Sequence, residues 1–395
     1  MRDELTAIFR AGVARADPVA AVAAALDDAR PPDAIAALGK ASVAMAHAAL
    51  ARFPGTPCLV VTNAENAADL PGARVVVGAH PVPDARSLAA GEALLAHAGA
   101  MRAGERLLVL VSGGASALAV APAAGVTLAD KAEVARRLLG AGLDIGAMNR
   151  VRARLSRIKG GGLARAAAPA IVEALILSDV VGDDLSTVAS GPTLPIAGGP
   201  EPRAILEAAG LWDALPRACR AALASAPGPV PASAAHLVGS NRLSAEAMRA
   251  AAPGARLEDA PLVGDVAYAA ARVAAAARRG PGTTLWGGET TVTLRGPGLG
   301  GRNQELALRV AMALDGLGAP WAFLSGGTDG RDGPTDAAGA VVDQGTVARI
   351  RAAGLDPAAL LARNDSHPAL AASGDLLVTG GTGTNVADLQ VLRVG

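Results

Sequence analysis

Two cations stand at positions where a helix start disfavours them. Lys40 follows a glycine in "ALGKASVAMA", directly after an apolar run, and Arg302 follows "GPGLGG" ahead of Leu306, Val310 and Leu314. The first turn of a helix carries partial positive charge, so a lysine or arginine there calls for an anion beside it. Backbone N–H groups at the helix end, added to the arginine's donors, make a clamp for phosphate or carboxylate. A third segment, "LVLVSGGASAL", places Ser112, Gly113, Gly114, Ala115 and Ser116 between a strand and a helix. Its small residues let an anion approach the backbone closely, so it reads as a phosphate cradle.

Carboxylates supply the complementary half. Asp179, Asp183 and Asp184 follow one apolar run, and Asp329, Asp332 and Asp336 lie in "SGGTDGRDGPTDAAG" after another. Mg²⁺ is held by one or two carboxylates together with substrate phosphate oxygens, which suits acids placed beside phosphate loops. Glu289 lies upstream of Arg302 in the same loop system, and Lys159 ends a basic stretch, "NRVRARLSRIKGGGLA", at a glycine turn.

Other chemistries fit less well. The segment Gly296, Gly298, Gly301 satisfies G-x-G-x-x-G, the dinucleotide fingerprint, but the next apolar run, Trp321–Leu324, ends in Ser325 where a ribose-binding acid is required. Pro297 also removes one N–H from that loop. Ser116 lacks the G-x-S-x-G elbow of a hydrolase nucleophile. The Walker spacing fails at Lys40. His80 and His367 sit in turns with acidic neighbours and form no metal-ligand pattern, and Cys58 and Cys219 lack partners at zinc or disulfide spacing.

These loops need elements to hold them. Short apolar runs, Ala34–Leu38, Leu107–Val111, Ala174–Leu177, His236–Val238, Thr284–Trp286, Trp321–Leu324 and Leu376–Val378, each end in glycine or small polar residues and lead into a helix-like segment. The pattern predicts an α/β fold with parallel strands covered on both faces and a composite site beyond their carboxyl ends. A chain of 395 residues exceeds a typical domain of about 100–150 residues, so two domains are expected. The Pro- and Ala-rich stretches "PIAGGPEP" and "APGPVPAS" bracket a helix predicted over 201–226, and the boundary falls near residue 235, giving domains 1–235 and 236–395.

Composition narrows the partners. Net charge is zero and the basic residues are dispersed, which recommends neither nucleic acid nor an anionic membrane surface and favours a small-molecule ligand. No apolar run reaches membrane-spanning length and "MRDELTAIFR" lacks a signal-peptide core, so a cytoplasmic location is expected. Lysines number three against 33 arginines, which draws attention to Lys40 and Lys159.

Taken together, "GKASVAMA", "HPVPD", "LVSGGASAL", "LSRIKGGGLA", "LSDVVGDDLSTVASGPT", "GGETTVTLRGPGLGGRNQELAL", "SGGTDGRDGPTDAAGA" and "GTGTNVADL" resemble the glycerate 2-kinases of the MOFRL type, in family order across nearly the whole chain. The resemblance implies a larger Rossmann-like amino-terminal domain with a parallel sheet, a smaller α/β carboxy-terminal domain, and ATP- and Mg²⁺-dependent phosphorylation of D-glycerate to 2-phosphoglycerate. Carried over, it makes Lys40 and Arg302 catalytic, with Asp179 joining them. Ser112–Ser116, Lys159, Asn241 and Glu289 become candidates for holding ATP, and Asp179 and Asp183 for the metal. A homodimer is the one assembly considered. The chain departs from the family pattern at Arg154, where histidine is expected, at Gly381 in place of proline, and after "NDS", where aromatic residues are missing. Older labels in the family as hydroxypyruvate reductase supply one alternative, an NAD(P)-dependent reductase; a non-catalytic sugar-acid binding protein is the other.

Overall fold

The five-residue runs Ala34–Leu38 and Cys58–Thr62 are buried at every position, as strands covered on both faces must be. The computed structural model spans residues 1–395 and describes all of them except Ala197 and Ala226. The chain divides into two compact units, one formed by Pro18–Ser178 and Asp184–Val238, the other by Met1–Asp17, Asp179–Asp183 and Gly239–Gly395.

The first unit is built on a sheet of β1 (Ala34–Leu38), β2 (Cys58–Thr62), β3 (Ala73–Val77), β4 (Arg106–Val111), β5 (Ile171–Leu177) and β6 (Ser233–Gly239), in the spatial order β3-β2-β1-β4-β5-β6. The pairs β3/β2, β2/β1, β1/β4 and β4/β5 are parallel. This is the Rossmann order, whose direction of winding reverses between β1 and β4. The loops that leave β1 and β4 therefore flank the place where such sheets bind ligands. A helical cluster beside the sheet packs Val134, Leu138, Val151, Leu155, Leu206, Cys219 and Leu223 together. Both cysteines are free and buried, and burial raises their thiols, Cys58 to about 12 and Cys219 to about 11.

The helix expected over 201–226 is broken. Pro202–Ala208 and Arg217–Ala224 are helical, separated by Gly210 in a left-handed conformation and by Pro216; Ala226 lies outside the described residues.

The second unit contains β7 (Arg256–Leu257), β8 (Leu262–Asp265), β9 (Gly282–Thr291), β10 (Trp321–Gly327), β11 (Gly339–Asp343), β12 (Leu376–Leu377) and β13 (Asp388–Val394), ordered β12-β11-β10-β13-β9-β7 with β8 also pairing with β9. Contrary to the parallel arrangement expected from the sequence, β12/β11, β11/β10, β10/β13 and β13/β9 are antiparallel. Helices cover both faces all the same. Trp286, Trp321, Phe323 and Leu392 pack with the helices Val266–Ala277 and Arg302–Ala313. Leu285, Leu324, Leu389 and Val391 pack with Arg2–Arg15 and Asn241–Ala251. Two-sided burial gives these strands continuous apolar sequences, so they read like parallel ones.

One division between the units falls at Val238 and Gly239, beside the boundary near residue 235, but two further segments cross it. Leu5, Ile8 and Phe9 of the first helix belong to the core of the second unit, and Asp179–Asp183 groups there too, so neither unit is one contiguous segment.

Candidate functional site

Each unit carries part of the predicted constellation. In the first, β1 ends at Gly39, whose φ of +126° and closeness to Ser112 leave no room for a Cβ. The turn is tied across to the loop after β4: Lys40 N–H donates to Gly113 O at 2.9 Å and Ala41 N–H to Ser112 Oγ at 3.1 Å. Lys40 then runs over Gly114, where an added Cβ would lie 3.1 Å from its Cγ and 3.2 Å from its Cε. Gly114 is itself left-handed, with φ of +84°. Burial, followed by the charge of Lys40, lowers the pKa of neighbouring His80. Lys40 and the Ser112–Ser116 loop thus form a single motif at the point where the sheet reverses its winding.

Lys159 is not part of that loop. Its turn is fixed by Gly160 N–H to Ser190 O at 3.0 Å and Gly161 N–H to Gly191 O at 2.7 Å. Its amine, 4% exposed, donates to Ser190 Oγ at 3.3 Å, and Ser190 Oγ lies 3.0 Å from Ser116 Oγ. Lys159 therefore reaches the cradle only through Ser190. Ser190 and Ala189 both hold positive φ, 62° and 53°, a conformation that non-glycine residues adopt at some energetic cost.

In the second unit, Arg302 opens its helix as predicted, but the anions beside it belong to the protein. Its Nε and Nη2 donate to Asp388 at 2.6 and 2.9 Å, and its Nη1 lies 3.0 Å from Glu289 Oε1. Asp388 is fully buried; burial raises its pKa and the arginine opposes that shift. The helix end is occupied as well: Asn303 N–H and Gln304 N–H donate to the two carboxylate oxygens of Asp332 at 3.0 and 2.8 Å. Asp332, one of the acids considered for metal, is instead a buried cap whose pKa burial pushes up to about 6.

The glycine loop ahead of Arg302 has an internal explanation too. A Cβ on Gly296 would come within 2.8 Å of Arg363 Cα, and one on Gly298 within 2.6 Å of Asn364 C. The loop's N–H groups donate to its own chain: Arg295 to Asn364 Oδ1 at 2.6 Å, Gly298 to Arg363 O at 3.0 Å and Leu299 to Asp365 Oδ1 at 2.9 Å. Glycine here permits one loop to lie against another, and these N–H donors are engaged within the protein.

A cavity of about 970 Å³ in the second unit is lined by Asp179, Glu289, Arg302, Asp332 and this glycine loop, a size suited to a small-molecule substrate. Burial raises the pKa of Glu289, Arg302 lowers it, and the charges of Asp388, Asp179 and Asp329 raise it further. Asp183 and Asn241 face a different, smaller cavity. Asp183 accepts from Ser240 Oγ at 2.9 Å, and the Asn241 amide donates to Val386 O and Asp388 O at 2.8 and 2.9 Å, bracing the start of β13. Among the described residues, no group of three or more metal-ligating acids, histidines or cysteines converges.

Sequence reasoning missed Ser190 and Asp388. The second left a signal, a lone acid at the head of the apolar strand Asp388–Val394. Ser190 left none, because an internal serine is an ordinary loop residue.

The chain is an α/β protein whose glycine-rich loops follow its strands, and its relatives show it to be a kinase. Profiles of the MOFRL family and of a domain of unknown function, DUF4147, match residues 282–388 and 4–224. The chain is 36% identical to the D-glycerate 2-kinase of Thermotoga maritima over 90% of its own length and 89% of that protein. It is 41% identical, over 100% and 94% of the two chains, to an Agrobacterium vitis protein provisionally named a hydroxypyruvate reductase. The crystal structure of glycerate kinase from Thermotoga maritima superposes with a TM-score of 0.94 at 33% identity, covering 100% and 99% of the two chains. The chain belongs to the MOFRL glycerate kinase family. Among the described residues no helix is long and apolar enough to cross a membrane.

Proposed function

We propose that this kinase transfers the γ-phosphoryl group of ATP to the 2-hydroxyl of D-glycerate, giving 2-phosphoglycerate and ADP. The observation that carries the proposal is the locking of Lys40 onto the Ser112–Ser116 loop at the winding reversal of the first sheet. Phosphoryl transfer asks a protein mainly for positioning and charge stabilisation. The cradle supplies small residues that admit a phosphate chain, and Lys40 supplies a cation to neutralise it. Arg302 is already fixed by Asp388 and Glu289, so its remaining N–H donors need no ordering before they meet an anion.

The residues of the second unit suit Mg²⁺. Asp179 and Glu289 line one cavity, and the neighbouring acids oppose ionisation of Glu289, a surplus of negative charge that a hard divalent cation relieves. When bound, the ion would neutralise phosphate oxygens; Asp179 is the group proposed to hold it or to accept the hydroxyl proton. Asp183 and Asn241, facing the other cavity, are assigned neither role here.

The engaged glycine loop and the absent ribose acid speak against a nicotinamide reductase. Incubation with D-glycerate and Mg²⁺-ATP, with the product identified by ³¹P NMR, tests the reading. ADP matched by 2-phosphoglycerate is expected. A 3-phospho product would overturn the position, and NADH oxidation with hydroxypyruvate in place of ADP formation would overturn the reaction.

A further inference from the structure

A second cavity lies in the first unit, away from the Lys40 loop. It measures about 190 Å³, and four cationic side chains, Arg150, Arg154, Lys159 and Arg165, line it. Among the described residues Glu201 is the one acid in its wall, and it is drawn off by Arg154 at 2.8 Å, leaving its own side chain 77% exposed. The other three cations meet no carboxylate among the described residues. Arg150 Nε is buried without a hydrogen-bond partner there, and the Lys159 amine donates to a hydroxyl. Arg165 donates to a backbone oxygen, Gly160 O, at 3.1 Å.

Charges of one sign do not converge in a protein interior without consequence. Burial and the charges of Arg152 and Lys131 lower the pKa of Lys159 well below that of an ordinary lysine, and burial with the charge of Arg154 depresses Arg165 in the same way. Gly199, with φ of +79°, lies so close to Arg150 that a Cβ there would come within 2.6 Å of the guanidinium carbon.

We infer that this pocket binds a small phosphate-bearing anion, which would supply the charge that the surrounding residues lack. Its volume exceeds the ~15 Å³ needed for one water and falls short of the ~300 Å³ at which drug-sized ligand pockets begin, so a free phosphate or a short organic phosphate fits and a nucleotide does not. Hydrogen bonds link the pocket to the cradle, since Lys159 contacts Ser190 and Ser190 contacts Ser116. An anion beside Lys159 would be felt along that chain of hydroxyls.

Phosphate binding can be measured without turnover, so the inference stands or falls apart from the kinase reading. Inorganic phosphate and glycerol 3-phosphate are titrated calorimetrically into the intact protein and into the variants Arg150→Ala, Arg165→Gln and Lys40→Ala. Arg150→Ala and Arg165→Gln are expected to weaken phosphate at least tenfold while Lys40→Ala retains it. In phosphate-free buffer the thermal midpoint of Arg150→Ala should equal or exceed that of the parent, since the change removes a buried guanidinium nitrogen that lacks a hydrogen-bond partner. Tighter binding of glycerol 3-phosphate would identify an organic phosphate as the ligand, and tighter binding of inorganic phosphate the free ion. Absence of binding to the parent chain would overturn the inference. Binding that survives both arginine substitutions but is lost with Lys40→Ala would place the anion at the cradle and overturn it equally.

Discussion

Arg302 directs its three nitrogens at carboxylates that the protein itself supplies, one of them fully buried. The anion inferred beside this helix start therefore exists in part as side chain, and Arg302 is a prealigned donor rather than a free one. Arg302→Gln should lower stability by about 3 kcal/mol, because it strands Asp388 as an uncompensated buried charge. Adding Asp388→Asn should restore part of that loss, and a double-mutant cycle followed by urea unfolding checks the coupling. Asp332 gives a pH signature. Its carboxyl titrates near 6 in the folded chain against about 3.9 when unfolded, so the folded state holds more protons between those values. Stability should fall by up to about 3 kcal/mol as pH rises from about 4 to about 6, since each tenfold difference in proton affinity is worth about 1.4 kcal/mol. Urea melts across that range should show a smaller fall for Asp332→Asn. Lys40 and Arg302 were legible from sequence because a cation at a helix start conflicts with local electrostatics. Asp388 was not, because it lies 86 residues beyond Arg302 and meets it only through pairing of β13 with β9.

At the level of elements, apolar runs announced β1, β4, β5, β6, β9, β10 and β12, whereas β2, β3, β7, β8, β11 and β13 went unmarked because no glycine-rich motif drew attention to their ends. Direction was misjudged in the second sheet for a physical reason: helices on both faces erase the alternation by which antiparallel strands are usually recognised. The G-x-G-x-x-G segment shows how a motif can be right about geometry and wrong about its cause. Its glycines allow close approach, but of the loop Arg363–Asn364 rather than of a dinucleotide. Gly298→Ala should accordingly cost about 1–3 kcal/mol through overpacking. Thermal unfolding checks the loss, and an unchanged absence of NADH binding by fluorescence checks its cause.

On the scale of the whole molecule, the units interleave in sequence, and the helix Arg2–Arg15 completes a core made mostly of residues after 239. Pattern reading found two domains but drew one cut between them, since a single amphipathic helix does not reveal which sheet it will cover. Phe9→Ala should destabilise by about 3–5 kcal/mol, as for other buried aromatic truncations. Hydrogen exchange should locate the loss in the second sheet rather than the first.

The central claim is that Lys40, held at the winding reversal of the first sheet, stabilises a phosphoryl group in transfer. Single-turnover transfer from Mg²⁺-ATP to D-glycerate, compared between the parent chain and Lys40→Ala, tests it most directly. The rate should fall by roughly 10²–10³, the loss typical of one electrostatic contact to a transition state. Thermal stability should stay within about 0.5 kcal/mol, because the side chain is only half-buried. A Lys40→Ala protein that transfers phosphate at the parent rate would contradict the account.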